Sequence, residues 1–305
     1  MENILITGSN GLLGNALKKQ LVNKQVITHT RQDCDLTNKK SVDIYFKQLK
    51  KIDTLIHCAA RVGGVKANMN DNQGFFIDNF MINNNVIENT LKKKIKNVVN
   101  VLSTCIFPDN AVYPLTAEQI DNGEPHSSNF GYSYAKRLLY YATKYSRKVS
   151  GNNWISIIPT NLYGANDNFN LENSHLIPAL IRKGYEASVK NEDFVVWGDG
   201  TPLRQFVYAE DMAKIILWAI DNWKQSKPMM AVNEQEYSIK QVVDIIAERF
   251  KIKTNKIKFD TSKPNGQYRK PAKTDVPSDF KFVSLEEGIN KTIDWFLDNK
   301  ENIRK

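Results

Sequence analysis

Asn3-Ile4-Leu5-Ile6-Thr7-Gly8-Ser9-Asn10-Gly11-Leu12-Leu13-Gly14 is the stretch on which the fold of this 305-residue chain turns. The aliphatic and β-branched run before Gly8 predicts a strand, and Leu17 and Leu21 continue at helical spacing behind the glycines. Strand, glycine turn and helix, in that order, suit a dinucleotide. Glycines let the backbone approach a pyrophosphate closely, and the first turn of the helix offers free N–H groups to its charge. Gly8, Gly11 and Gly14 are spaced G-x-x-G-x-x-G, a departure from the commoner G-x-G-x-x-G.

Working outward, the pattern predicts strands over 26–29, 54–58, 97–103 and 154–159, with helices over 41–50, about 74–94 and from Tyr132 to about 148 between them. Such alternation implies an α/β fold: a doubly wound parallel (Rossmann) sheet with ligands beyond the carboxyl ends of its strands. From Asn161 the pattern loosens into loops rich in Asn and Gly. A helix from His175, short strands over 194–197 and 204–208, and helices near 209–223, 238–250 and 284–299 follow. The expected division is a cofactor-binding domain over 1–160 with a return segment at about 205–235. A smaller mixed α/β substrate-binding lobe takes 161–204 and 236–305.

A chain of this length, 41% hydrophobic, can bury a substantial core. No apolar run reaches the 18 or so residues of a membrane span, and strand-forming residues start at once, so a cytoplasmic protein without signal peptide or membrane association is expected. Cys34, Cys58 and Cys105 are too few and too scattered for a disulfide framework or a zinc site, so no metal is expected. The formal net charge of +9 favours anionic partners. No nucleic-acid module or arginine–aromatic repeat is present, which points to a nucleotide and not to nucleic acid.

Gly131-Tyr132-Ser133-Tyr134-Ala135-Lys136 supplies candidate chemistry. Tyr132 and Lys136, four apart on a helix, share one face. The ammonium is expected to lower the phenol's pKa from about 10 toward neutrality, so that Tyr132 gives a proton to a carbonyl accepting hydride. Ser103 is read as the end of a strand, at the mouth of the crevice. At the tip of the second strand, Thr28-His29-Thr30-Arg31 carries a cation where NAD sites usually carry an acid; Arg31 thus favours NADP(H), and Asp35 lies within reach of the adenine.

Gly8, Gly11, Gly14, Ser103, Tyr132 and Lys136 together resemble the extended short-chain dehydrogenase/reductase superfamily. Longer stretches narrow the likeness. Val62-Gly63-Gly64-Val65, Ser103-Thr104-Cys105-Ile106-Phe107-Pro108, Pro159-Thr160-Asn161-Leu162-Tyr163-Gly164 and Asn173-Ser174-His175-Leu176-Ile177-Pro178-Ala179-Leu180 resemble the GDP-L-fucose synthase family. So do Val196-Trp197-Gly198-Asp199-Gly200-Thr201-Pro202-Leu203-Arg204 and Ser262-Lys263-Pro264-Asn265-Gly266. The resemblance implies an NADPH-dependent enzyme that epimerises carbons 3 and 5 of GDP-4-keto-6-deoxy-D-mannose and then reduces carbon 4, acting as a homodimer through the helices near 74–94 and 133–148.

By the same resemblance, Cys105 and His175 are the base and acid of epimerisation, and Ser103, Tyr132 and Lys136 serve reduction. The cofactor falls to Gly8, Ser9, Asn10, Gly11, Leu12, Gly14, Arg31, Asp35, Leu36, Ala59, Ala60, Lys136, Pro159, Asn161, Leu162 and His175. The sugar nucleotide falls to Ser103, Cys105, Lys183, Trp197, Arg204, Asn265 and Lys270. The chemistry is consistent with one centre, because a ketone at carbon 4 acidifies the hydrogens on both neighbouring carbons, and the enolate oxygen is held where the carbonyl was. Asn265 stands where the family often has an acid, Lys183 where many members have arginine, and Ser9 and Asn10 where bacterial relatives can have a basic residue. Two other readings stay open: a carbon-4 reductase of a related 4-keto nucleotide sugar without epimerisation, and a non-enzymatic NADPH-binding regulator.

Overall fold

Alternating apolar strands and helices carry the chain through its first half. The computed structural model, which describes residues 2–263 and 265–303, begins with β1 (Asn3–Thr7), α1 (Leu12–Gln20), β2 (Gln25–Ile27), α2 (Lys39–Gln48) and β3 (Thr54–His57). It continues with α3 (Val65–Asn70), α4 (Asn72–Lys92), β4 (Asn97–Val101), α5 (Phe130–Ser150) and β5 (Asn153–Pro159). Pro264, part of one family-like stretch, lies outside the described residues.

Consecutive residues on these strands face opposite layers. Leu5, Leu55 and Val98 join Val42 and Phe46 of α2, Val86 of α4 and Leu139 of α5 in one core. Ile4, Ile6, Ile56 and Val99 join Leu13 and Leu17 of α1 in the other. Burial on both faces is why the strands read as unbroken apolar runs. α5 stops at Gly151, which adopts a left-handed conformation (φ 69°) that closes the helix end.

The second half holds β6 (Asn161–Tyr163), α6 (Leu176–Lys190), β7 (Phe194–Trp197), β8 (Leu203–Tyr208), α7 (Ala209–Asn222) and β9 (Met229–Ala231). After these come β10 (Glu236–Ser238), α8 (Ile239–Arg249), β11 (Ile257–Asp260) and α9 (Leu285–Asn299). β9 returns to the main sheet, whose order is β2-β1-β3-β4-β5-β9 with every pair parallel. α7 packs on α1 and, through Met212 and Ile216, closes the second core. The remaining strands form a three-stranded sheet, β10-β8-β6, and a two-stranded parallel pair, β11-β7. Phe169, Phe194, Phe206, Val242, Ile246, Ile289 and Phe296 make a third core there.

The segment after Asn161, read as loop, is in fact strand at 161–163; three residues are too few to show a period. β1 passes to β2 on one side and, later, to β3 on the other, so the order of strands reverses around β1. That switch point leaves a crevice beyond the carboxyl ends of β1 and β3.

Candidate active site

The glycine turn sits in the crevice. Gly8 has φ 71°, a left-handed conformation, and Gly11 N–H donates to Gly8 O at 3.0 Å. A Cβ on Gly14 would lie 2.3 Å from Gly8 O, so α1 can press on the turn only without a side chain there. α1 opens at half-buried Leu12 with no side-chain cap and no acid in its first turn, leaving its N–H groups to an anion. The Ser9 hydroxyl donates to His29 O at 3.3 Å, tying the turn to the chain after β2, while Asn10 is exposed.

Other expected cofactor residues line the same edge. A Cβ on Gly8 would meet Ala59 N at 2.8 Å, which brings the Ala59-Ala60 segment after β3 against the turn. The Arg31 side chain is 82% exposed and lies 3.6 Å from Asp35, whose carboxylate also accepts the Thr37 N–H. Leu36 is buried, with its carbonyl bonded to Asn85. Pro159 ends β5; one residue on, β6 begins with Asn161, whose Nδ2 donates to Gln205 O at 2.8 Å, and half-buried Leu162.

Ser103, Cys105, Tyr132 and Lys136 meet at the end of β4. That strand stops at Val101, earlier than its sequence suggests, because Ser103 caps a 3₁₀ turn over Thr104–Ile106. Its Oγ accepts the Cys105 N–H at 3.2 Å, and the same hydroxyl is hydrogen-bonded to the Tyr132 phenol oxygen. α5 begins where it does because Gly131 N–H donates to Asn72 Oδ1 at 2.6 Å, and a Cβ there would strike Asn72 O.

One sequence expectation is overturned here. The Tyr132 pKa is raised, not lowered: burial disfavours the phenolate, nearby Cys105 adds to that, and the Ser103 bond only partly opposes it. Lys136, buried, turns its Nζ onto Val101 O at 2.7 Å and sits 5.9 Å from the Tyr132 ring. Burial lowers its own pKa to about 8, with Cys58 opposing. The phenol is therefore fully protonated at neutral pH in the unliganded chain.

Sequence reasoning missed the buried network behind this cluster. Asn83 Nδ2 donates to Ala135 O at 3.1 Å, so its Oδ1 accepts from His57 Nε2–H, also at 3.1 Å. His57 Nδ1 then accepts the Thr7 hydroxyl proton at 2.7 Å. The chain of bonds joins the end of β1, β3, α4 and α5, and no spacing in the sequence announces it. Burial, then the charge of Lys136, lower the His57 pKa from 6.5 to about 3, opposed by the Asn83 bond. Between those values the unfolded chain binds the proton and the folded one does not, so stability falls as pH drops from 6.5 toward about 3. At about 1.4 kcal/mol per pH unit, His57 alone removes roughly 2 kcal/mol between pH 6.5 and 5. Urea midpoints at the two pH values should fall more steeply in the wild type than in His57→Gln; equal slopes in both would defeat the assignment.

His175 caps α6 without a side-chain cap bond. His175 is exposed over much of its area, and desolvation still lowers its pKa, which favours the neutral imidazole. The Val62-Gly63-Gly64-Val65 stretch holds the loop before it: Gly64 N–H donates to Asn173 O at 3.1 Å, and a Cβ on Gly64 would lie 2.9 Å from Ser174 O.

The expected substrate residues form a connected face. Lys183 Nζ and Lys263 Nζ lie 5.0 and 6.0 Å from the ring of Trp197, which is 53% exposed. Asn265 Oδ1 accepts the Asp199 N–H at 2.8 Å, locking the turn after β7. A side chain at Gly266 would come within 3.9 Å of Arg204 Nη2. Burial lowers the pKa of both Arg204 and Lys270; Lys270 feels Cys105, Asp109 and Arg204. Lys270 thus lies within electrostatic reach of both Arg204 and the Cys105 thiol. Tyr113 was missed: it bears on Arg204, and its oxygen accepts from Gln267 Nε2 at 2.6 Å.

Among the described residues no group of three or more His, Cys, Asp and Glu is placed to hold a metal ion, and no helix is long and apolar enough to cross a membrane. All three cysteines are free.

A Ser–Tyr–Lys cluster over a phosphate-ready glycine turn, on the carboxyl edge of a doubly wound parallel sheet, marks a Rossmann-type enzyme. The model of the NAD dependent epimerase/dehydratase family matches residues 4–233, and the chain belongs to that family. It is 40% identical to a GDP-L-fucose synthase of Dictyostelium discoideum, over 99% of this chain and 97% of the relative. It is 34% identical to a GDP-L-colitose synthase of Yersinia pseudotuberculosis, over 98% of this chain and 99% of that one. Among solved structures, a GDP-L-fucose synthetase from Naegleria fowleri bound to NADP is similar with a TM-score of 0.91 and 37% identity, covering 100% of this chain and 95% of that one. The likeness read from separate motifs thus extends over the whole length.

Proposed function

We propose that this chain converts GDP-4-keto-6-deoxy-D-mannose to GDP-L-fucose with NADPH, inverting carbons 3 and 5 before reducing carbon 4. The observation that carries this is the thiol of Cys105 beside Ser103 and Tyr132, next to a cationic face through Lys270 and Arg204. A plain ketone reductase has no use for that thiol. The similarity to full-length GDP-L-fucose synthases supports the same reading.

The residues present fit the cofactor: a glycine turn that a Cβ would fill, open helix N–H groups, and exposed Arg31 for a ribose phosphate. Bound there, the nicotinamide supplies hydride. Ser103 and Tyr132 hold the carbon-4 oxygen, stabilising the enolate that forms when a neighbouring carbon loses its proton. Cys105 takes that proton on one side, His175 returns one from the other, and the sugar reorients between carbons. Tyr132 finally protonates the oxygen as carbon 4 is reduced, with Lys136 behind it. Arg204 and Lys270 suit the diphosphate, and Trp197 offers an aromatic surface to the base or sugar.

The same reading includes a homodimer through α4 and α5, where Ile77, Phe80, Leu138 and Tyr145 are exposed. Sedimentation should give about twice 34.9 kDa, and a Phe80→Glu/Leu138→Glu variant the single chain; a wild-type monomer rejects the dimer. Action in the cytoplasm suits a thiol that must stay reduced. The deciding experiment supplies the protein with NADPH and GDP-4-keto-6-deoxy-D-mannose and identifies the product by NMR. GDP-L-fucose supports the proposal. Unchanged ketosugar overturns it, and a product reduced at carbon 4 without inversion establishes the simpler reductase instead.

A further inference from the structure

Tyr134 and Arg137 sit beside Tyr132 and Lys136 on α5 without a part in the reaction just described. Arg137 is only 8% exposed, an unusual place for a guanidinium. Its Nε donates to Ile106 O at 2.6 Å, while its buried Nη2 has no hydrogen-bond partner among the described residues. Asp121 and Glu124 act on it from a distance, and Asp121 is engaged by the Tyr141 hydroxyl at 2.5 Å. The guanidinium instead lies over the Tyr134 ring, 5.6 Å from its centroid, and Phe130 packs on that ring at 4.4 Å. A buried cation without a carboxylate partner is a destabilising choice unless its location matters.

What Arg137 holds is the end of the turn with Cys105 at its centre. The start of the same turn is held by Ser103, which also bonds Tyr132. Tyr132 and Arg137 are carried by one helix, so the two ties brace the thiol-bearing turn at both ends against the phenol. We propose that Arg137 is the positioning residue that seats Cys105 relative to Tyr132, with the Tyr134 ring as its support. This rests on the reading of Cys105 as the epimerisation base. It also gives the Tyr134 ring a part that calls for no hydroxyl.

The test follows deuterium entering carbons 3 and 5 of GDP-4-keto-6-deoxy-D-mannose in heavy water without NADPH, alongside NADPH affinity by fluorescence. Arg137→Met should slow wash-in about 100-fold, as a displacement near 1 Å does, with NADPH affinity nearly unchanged. Arg137→Lys, which keeps a cationic N–H donor, should recover at least about tenfold of that loss, and Tyr134→Phe, which keeps the ring, should match the wild type. Wild-type wash-in by Arg137→Met overturns the proposal. So does NADPH affinity falling in step with wash-in across both Arg137 variants, the mark of a merely structural role. If Arg137→Met does not fold, Arg137→Gln is judged by the same two readouts. Absence of wash-in with the wild-type protein is a different failure, because it removes the epimerase reading of Cys105 itself.

Discussion

Tyr132→Phe should lower reduction of the 4-keto sugar by roughly 10²–10⁴-fold, the range that a positioned general acid contributes, while NADPH binds almost as before. The change deletes one hydroxyl and leaves the ring in place. It removes the hydroxyl that is bonded to Ser103 and that the proposed mechanism uses as proton donor. Because the phenol's pKa is raised, Tyr132 stays protonated through neutrality, and Lys136 is the group expected to set an alkaline limb. Reduction should therefore be level through neutrality and fall above pH about 8, as the ammonium loses its proton. Stopped-flow decay of NADPH absorbance across pH measures both effects. A Tyr132→Phe enzyme of near wild-type rate would remove the phenol from the mechanism, and a rate still rising past pH about 8 would remove Lys136 from the limb.

Cys105→Ser is expected to slow exchange at carbons 3 and 5 by a similar factor, roughly 10²–10⁴-fold, with NADPH affinity held. A serine fits the space of the thiol, and the backbone N–H that anchors the turn to Ser103 is untouched. An alkanol, however, releases its proton far less readily than a thiol, so the variant keeps the shape of the site and loses the proposed base. Deuterium incorporation followed by NMR separates the two outcomes. Equal loss of exchange and of cofactor binding would show that the thiol only supports the fold. His175→Ala offers the partner measurement, since a neutral imidazole with one N–H is what the desolvated cleft maintains.

The order of the central strands and helices was legible because the strands are unbroken apolar runs and the helices between them carry a helical period. Leu5, Leu55 and Val98 against Ile4, Ile56 and Val99 divide between two cores at every step along the strands. The glycine turn was legible for a related reason: Gly8 and Gly14 answer to backbone strain and to contact within a few residues. The three-residue strands at 161–163 and 229–231 were not. Asn161–Tyr163 and Met229–Ala231 are strands only because β8 and β5 lie alongside them. The Thr7–His57–Asn83 chain, the Arg137 tie and Tyr113 beside Arg204 join residues far apart in sequence, and their types there are unremarkable.

Local spacing was enough to place the doubly wound sheet, the phosphate-ready turn and the shared helical face of Tyr132 and Lys136. Protonation instead follows from packing across the fold. An ammonium four residues from a phenol ought to draw its proton off; burial instead raises the phenol, and the Val101 carbonyl holds the ammonium away, with its own pKa near 8. Desolvation depends on every atom packed around a group, and no single stretch of chain contains that information.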